Sequence, residues 1–134
     1  MVEMELNKIV INEKRHDQLI VLKEKKGERL LPIVIGLNEA SAIKMKIGGF
    51  NPPRPLTHDL LHSTIQNLEA NLERVIIDKL EENTFFAKLV IKTEARKTKI
   101  IDARPSDSIA LAVRADVPIF VDESVLKQTE VFDK

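Results

Sequence analysis

Asp102-Ala103-Arg104-Pro105-Ser106-Asp107-Ser108-Ile109-Ala110-Leu111-Ala112 is the stretch on which the fold turns. It follows a strand-like run, Thr98-Lys99-Ile100-Ile101, so a strand hands directly over to a helix. Pro105 suits a first helical turn and Ser106 is a good N-cap. Asp107 falls in that first turn, where a carboxylate meets the positive end of the helix dipole. Ile109, Ala112 and Val113 repeat at helical spacing and mark a buried stripe. A strand end that delivers Arg104, Ser106 and Asp107 to one helix mouth can bind a phosphate or a metal. A capped helix whose aspartate answers the dipole accounts for the same residues.

Before this stretch the period is that of strands. Phe85, Ala87, Leu89 and Ile91 alternate with Phe86, Lys88, Val90 and Lys92, and Val75-Ile76-Ile77 is a shorter apolar run. Glu82-Asn83 and Ala95-Arg96-Lys97 are reversals. A first meander is read at the start of the chain, from Val2 to Ile11, Gln18 to Leu22 and Leu30 to Ile35, with polar turns at Glu13 to Asp17 and Lys25 to Glu28. Pro32 within the third run marks an edge position or a bulge. Between the meanders lie two helices. Asn38 caps one, from Glu39 to about Ile47, with Ala42, Ile43 and Ile47 on one side and Gly48-Gly49 at its end. Thr57 caps the other, with Leu61, Ile65, Leu68 and Leu72 as its stripe. The Pro-rich loop Phe50 to Pro55 joins them. After the Asp102–Ala112 stretch come a short strand, Val117 to Val121, and a last helical turn capped by Asp122.

This order predicts an α+β fold: a mainly antiparallel sheet of two three-stranded meanders plus a short strand, with helices packed against it. One domain spans residues 4–126, followed by a tail, 127–134. At 134 residues and 43% apolar composition, the chain is long enough for a single core. A formal net charge of zero argues against a nonspecific nucleic-acid coat. The absence of cysteine excludes disulfides and thiolate metal sites. The N-terminus, Val2-Glu3-Met4-Glu5, lacks an apolar signal core, which predicts a cytoplasmic protein without a membrane segment. Neither a P-loop nor a serine nucleophile elbow is present.

Two other groupings could carry chemistry. His58-Asp59-Leu60-Leu61-His62 imitates the metalloprotease pattern H-E-x-x-H. Its acid is a methylene short, no third ligand is evident, and the pair opens the helix, so zinc catalysis is set aside. Arg54-Pro55-Leu56-Thr57-His58-Asp59 gathers a guanidinium, a helix mouth, an imidazole and a carboxylate. Arginine and free helix N–H groups bind phosphate oxygens, a carboxylate holds Mg²⁺ or Mn²⁺, and imidazole moves protons. An N-capped helix after a proline loop is the plainer explanation. If this motif and Arg104–Asp107 share one job, both helix mouths open into one cleft, with the Asp59 and Asp107 carboxylates within about 5 Å of each other around a cation.

Leu31-Pro32-Ile33-Val34-Ile35-Gly36, Arg54 to Leu60 and Asp102 to Ala112 occur in this order and spacing, and together they resemble the bifunctional nuclease domain family. The resemblance runs from about Met4 to Leu126. It implies a small α+β domain, often a homo-oligomer, with DNase and RNase activity as in plant members. The function expected on that footing is metal-assisted phosphodiester hydrolysis of DNA or RNA. Asp59 and Asp107, with Glu39 or Asp102, would hold one or two divalent ions, Mg²⁺ or Mn²⁺. Arg54 and Arg104 would clamp the phosphate, beside the caps Thr57 and Ser106. His58 would act as general base or protonate the leaving oxygen. The rival reading is a non-enzymatic regulatory or scaffold domain that binds an anion or a partner protein. Neutral charge and a scarcity of aromatic residues favour that rival.

Overall fold

A computed structural model describes residues 1–12, 14, 17–129 and 131–132. Glu13, Arg15 and His16 of the first expected turn, and Glu130, Asp133 and Lys134 of the expected tail, lie outside the described residues.

Period-two alternation makes the strands where it was expected; most run somewhat longer than their apolar stretches, whereas the first stops at Val10 and the short strand expected from Val117 starts at Ile119. β1 (Val2–Val10), β2 (Asp17–Glu24) and β3 (Arg29–Gly36) form one antiparallel meander. β4 (Ala70–Glu81), β5 (Thr84–Thr93) and β6 (Thr98–Ala103) form the second. Glu82 and Asn83 both take positive φ, 49° and 62°, which fits a two-residue hairpin turn of the primed kind. The short strand β7 (Ile119–Val121) lies parallel to β4 and antiparallel to β1, and so fuses the two meanders. The result is one sheet of eight strands, ordered β6-β5-β4-β7-β1-β2-β3-β8, not two meanders beside a separate strand. β8 (Val131–Phe132) pairs with Arg29 and Leu30 and comes from the stretch expected to be a tail. Its two residues are too short to show a period. Pro32 pairs with Val21 on one side of β3, beyond the reach of β8 on the other, so its edge position is as expected.

Four helices pack on one face: α1 (Leu37–Ile47), α2 (Thr57–Asn67), α3 (Pro105–Ala115) and α4 (Glu123–Thr129). The core between the layers is aliphatic, built from Ile20, Leu22, Leu31, Ile33, Val75, Ile77 and Leu89 of the sheet against Ile43, Ile109, Leu111, Val125 and Leu126 of the helices. β3 and β5 stand five places apart in the sheet, about 24 Å in a flat one at roughly 4.8 Å per strand. Yet Ile33 and Phe85 line one groove, so the sheet curls towards its helical face. α3 runs inside that curl, which explains why its residues from Ser108 to Ala112 are all buried. Among the described residues no helix is long and apolar enough to cross a membrane.

Helix starts differ from the expected caps by one or two residues. α1 begins after Gly36, which places Asn38 in its first turn. α3 is capped by Arg104, whose extended backbone (φ −76°, ψ 148°) continues the strand, while Pro105 opens the helix and Ser106 falls inside it. α2 is capped by Leu56, not Thr57. The reason is the Asp59 carboxylate, which accepts the Leu56 backbone N–H at 2.9 Å. The expected stripe of α2 is also shorter. The helix stops at Asn67, Ile65 alone is buried, Leu68 is 75% exposed, and Leu72 belongs to β4. α2 touches mainly α3 and β4 and sits at the rim of the helical layer, so little of its surface has a partner. Ile47 is likewise exposed at the end of α1.

Candidate functional site

Three helices start at one place. The first turns of α1 (Asn38, Glu39) and α2 (Thr57, His58) and the start of α3 (Arg104, Asp107) line a single cleft of about 530 Å³, floored by Ala42, Met45 and Leu56. β3 delivers α1 and β6 delivers α3 without an intervening loop, and the proline-rich segment brings α2 alongside. Each helix presents backbone N–H groups that have no partner within the helix. Three such ends give the cleft a positive lining that owes nothing to net charge.

The side chains in the cleft form a connected set. Asp107 Oδ1 lies 2.9 Å from His58 Nε2. Asp107 Oδ2 accepts from Arg104 Nε at 3.0 Å and faces Nη2 at 2.9 Å. The same Nη2 reaches Glu39 Oε1 at 3.1 Å. Asp107, and behind it Glu39, hold the Arg104 guanidinium more firmly protonated than an ordinary arginine. With Nε2 of His58 turned to a carboxylate, Nδ1 is left as the ring nitrogen that can accept a proton.

Asp59 belongs to a neighbouring set. Its Oδ1 is 2.6 Å from Nε of Arg114, and its Oδ2 holds the Leu56 N–H. The Arg114 side chain is only 4% exposed, and its remaining donors go to the carbonyls of Ala110 (3.0 Å) and Ala42 (3.4 Å). Burial alone would raise the Asp59 pKa. The Leu56 N–H and the Arg114 charge outweigh burial and hold it below the ordinary 3.8. Asp59 thus ties α2 to α3 and α1, whereas Asp107 faces the cleft.

The two helix mouths therefore share a cleft, but their two acids engage different cations. Thr57, His58, Arg104, Asp107 and Glu39 come together there. Ser106 lines an adjoining groove. Arg54 is exposed and makes no hydrogen bond or ion pair among the described residues. Asp102 is on the far face of the sheet, 3.1 Å from Lys88. Arg114 is the residue that sequence reasoning missed. Its one signal is a cation that follows a run of Ile, Ala, Leu and Val, from Ile109 to Val113.

These donors do not form a ready metal cage. Among the described residues no group of three or more His, Asp or Glu side chains is gathered closely enough to hold an ion. Both oxygens of Asp107 are engaged, and Arg104 already bridges Asp107 to Glu39. A divalent ion between the two acids would have to displace that guanidinium.

Known proteins resemble this chain in sequence. The Bifunctional nuclease domain matches residues 20–134. An uncharacterized protein of Mycobacterium tuberculosis (strain CDC 1551 / Oshkosh) is 42% identical over 128 residues, covering 96% of this chain and 76% of that protein. Bifunctional nuclease 2 of Oryza sativa subsp. japonica is 31% identical over 109 residues, which is 79% of this chain and 34% of the plant protein. Bifunctional nuclease 1 of Arabidopsis thaliana is 28% identical over 107 residues, 78% of this chain and 33% of its own length. With the family match covering most of its length, and a sheet, a helix mouth and an Arg–Asp pair laid out as the motifs led one to expect, the chain belongs to the bifunctional nuclease domain family.

Proposed function

We propose that this chain hydrolyses phosphodiester bonds of DNA or RNA in the three-helix cleft. The observation that carries this is the meeting of His58, Asp107, Arg104 and Glu39 at three helix N-termini. The helix ends and the outer edge of Arg104 bind the phosphate oxygens. Asp107 orients His58, whose Nδ1 takes the proton of an attacking water as the new P–O bond forms. The bond to the leaving oxygen breaks, and the imidazolium returns the proton there. The names of the plant relatives support a nuclease, and the chain spans about a third of each.

Metal assistance by Mg²⁺ or Mn²⁺ is a separate part of the proposal, and no step above depends on it. A model diester, single- and double-stranded DNA, and RNA are to be assayed with EDTA and with added Mg²⁺ or Mn²⁺. His58→Gln is expected to lower kcat by about 10²–10⁴-fold. Activity that survives EDTA supports the proton-transfer route. Activity that needs Mn²⁺ and falls with Glu39→Gln supports an ion that displaces Arg104. An unchanged rate in both His58→Gln and Asp107→Asn overturns the assignment of the cleft. Phosphate binding without turnover on any substrate supports the rival reading, an anion-binding regulatory domain, which the pairing of Arg104 with two acids favours.

Self-association belongs to the same proposal. The sheet face turned away from the helices exposes Val10, Val34 and Ile100, which supports a partner copy there.

A further inference from the structure

Arg104 lines a second depression as well as the cleft. This groove, about 320 Å³, lies between β3, the β4–β5 turn and the start of α3. We propose that it is a nucleoside subsite, which receives the sugar and base next to the phosphate held at Arg104; this rests on the phosphodiesterase reading above.

The chemistry of the walls selects that occupant. Ile33, Ile35 and Phe85 give one apolar wall with an aromatic ring, and Asn83, Thr84 and Ser106 give hydrogen-bonding groups opposite. Among the described residues Arg104 is the only cation on the lining, and Asp17 stands on the rim. A second phosphate would meet that carboxylate, whereas sugar hydroxyls and base amino groups donate to it. Ser106 supplies an independent pointer. It is 5% exposed, it lines the groove, and its hydroxyl makes no hydrogen bond among the described residues. That hydroxyl is not among the fully buried orphaned polar atoms, so it keeps access to the groove and can donate to or accept from a ligand. The volume is at the small end of ligand pockets, roughly 300–1,000 Å³. It suits one nucleoside and excludes a longer stretch of chain. Any phosphate in a nucleic acid carries a nucleoside on either side. The groove and the cleft meet at a single arginine, so one substrate spans both. Stacking on Phe85 tolerates every base, while the Asn83 amide, on a fixed turn, reads the base edge and sets a preference among bases.

The test uses the full chain and three probes: adenosine, cytidine and inorganic phosphate, followed by amide NMR. Nucleosides are expected to shift the signals of Thr84, Phe85 and Ser106. Phosphate is expected to shift those of Glu39, His58 and Asp107. Ser106→Val, which fills the groove, is expected to weaken nucleoside binding at least 10-fold and to leave the phosphate response intact. In cleavage of a dinucleotide it is expected to raise KM about 10-fold with kcat within two-fold. Should Ser106→Val fail to fold, Asn83→Ala on the exposed turn and Phe85→Leu carry the same test. Nucleoside shifts that are absent, or that persist in all three variants, overturn the subsite even when cleavage is observed. Nucleosides and phosphate that bind their separate places without any cleavage leave the subsite standing and remove the catalytic reading.

Discussion

Replacing Asp59 by Asn separates a structural acid from a chemical one. The substitution removes the charge that answers Arg114, a side chain 4% exposed, from a carboxylate 31% exposed. Removing one partner of a fully buried pair costs roughly 3–5 kcal/mol, because the other charge is left uncompensated. Solvent at Asp59 reduces this, so about 2–3 kcal/mol is expected here. At roughly 2.1 cal/mol/K per residue, the 134 residues give an unfolding entropy of about 0.28 kcal/mol/K near 60 °C. The melting temperature should then fall by about 7–11 °C. Thermal unfolding followed by circular dichroism at pH 7 reads this directly. Adding Arg114→Met to Asp59→Asn removes the orphaned charge and should recover most of the loss. Cleavage assayed well below the transition should persist in Asp59→Asn. A variant that melts within about 2 °C of the parent yet has lost all cleavage would show that Asp59 acts in the chemistry, and the structural role assigned to it would be refuted.

Three further outcomes are expected. Asp107→Asn should melt close to the parent, because its charged partner Arg104 is 66% exposed and water can replace the lost charge, while cleavage falls as in His58→Gln; a large loss of stability in Asp107→Asn would refute this. Gly36→Ala places a Cβ 3.1 Å from both carboxylate oxygens of Glu39, so it should loosen the Glu39–Arg104 contact and lower kcat/KM while changing stability by less than about 1 kcal/mol; an unchanged kcat/KM would remove Glu39 from the site. Hydrogen bonds from Arg29 hold Glu24 and Glu123 below their ordinary 4.5, and Asp59 sits below 3.8, so folded-state values lie under unfolded ones. Their stabilisation is complete above those ordinary values and is lost as pH falls through the lower folded ones. The melting temperature should therefore be flat above about pH 5 and drop below pH 4.5, less steeply in Arg29→Met, and equal slopes in the two proteins would contradict the assignment.

Local features of this chain were legible in its sequence, as was the meeting of the α2 and α3 mouths in one cleft, whereas other long-range features were not. Alternation in Phe85–Ile91 names a strand because side-chain direction is set by the strand itself. The Arg104–Asp107 pair was readable because three residues on a helix start are neighbours whatever the fold. The joining of two meanders by β7 depends on which edges meet, and three residues carry no mark of that. The Asp59–Arg114 pair spans 55 positions, so Asp59 was read as a cleft acid when its charge is answered from behind. Cap positions slipped for a related reason. A strand's extended backbone decides where the helix begins, and Ser106 and Asn38 were good caps in the wrong place.

Pro32 has a bearing on how this protein behaves in a crowded solution. Its partner on β2 is Val21, and a proline has no N–H to give that ladder, so the missing donor faces the open side of β3. β8 covers that side only at Arg29 and Leu30. Beyond them an incoming strand from another molecule would find a gap in the row of donors where it needs continuity. Growth by adding strand to strand, the route to fibrils and to exchanged segments, is therefore interrupted in the middle of the one long free edge that the first meander leaves. Strand-to-strand association is thereby disfavoured along this side of the sheet, which leaves β6, at the opposite end, as its other edge.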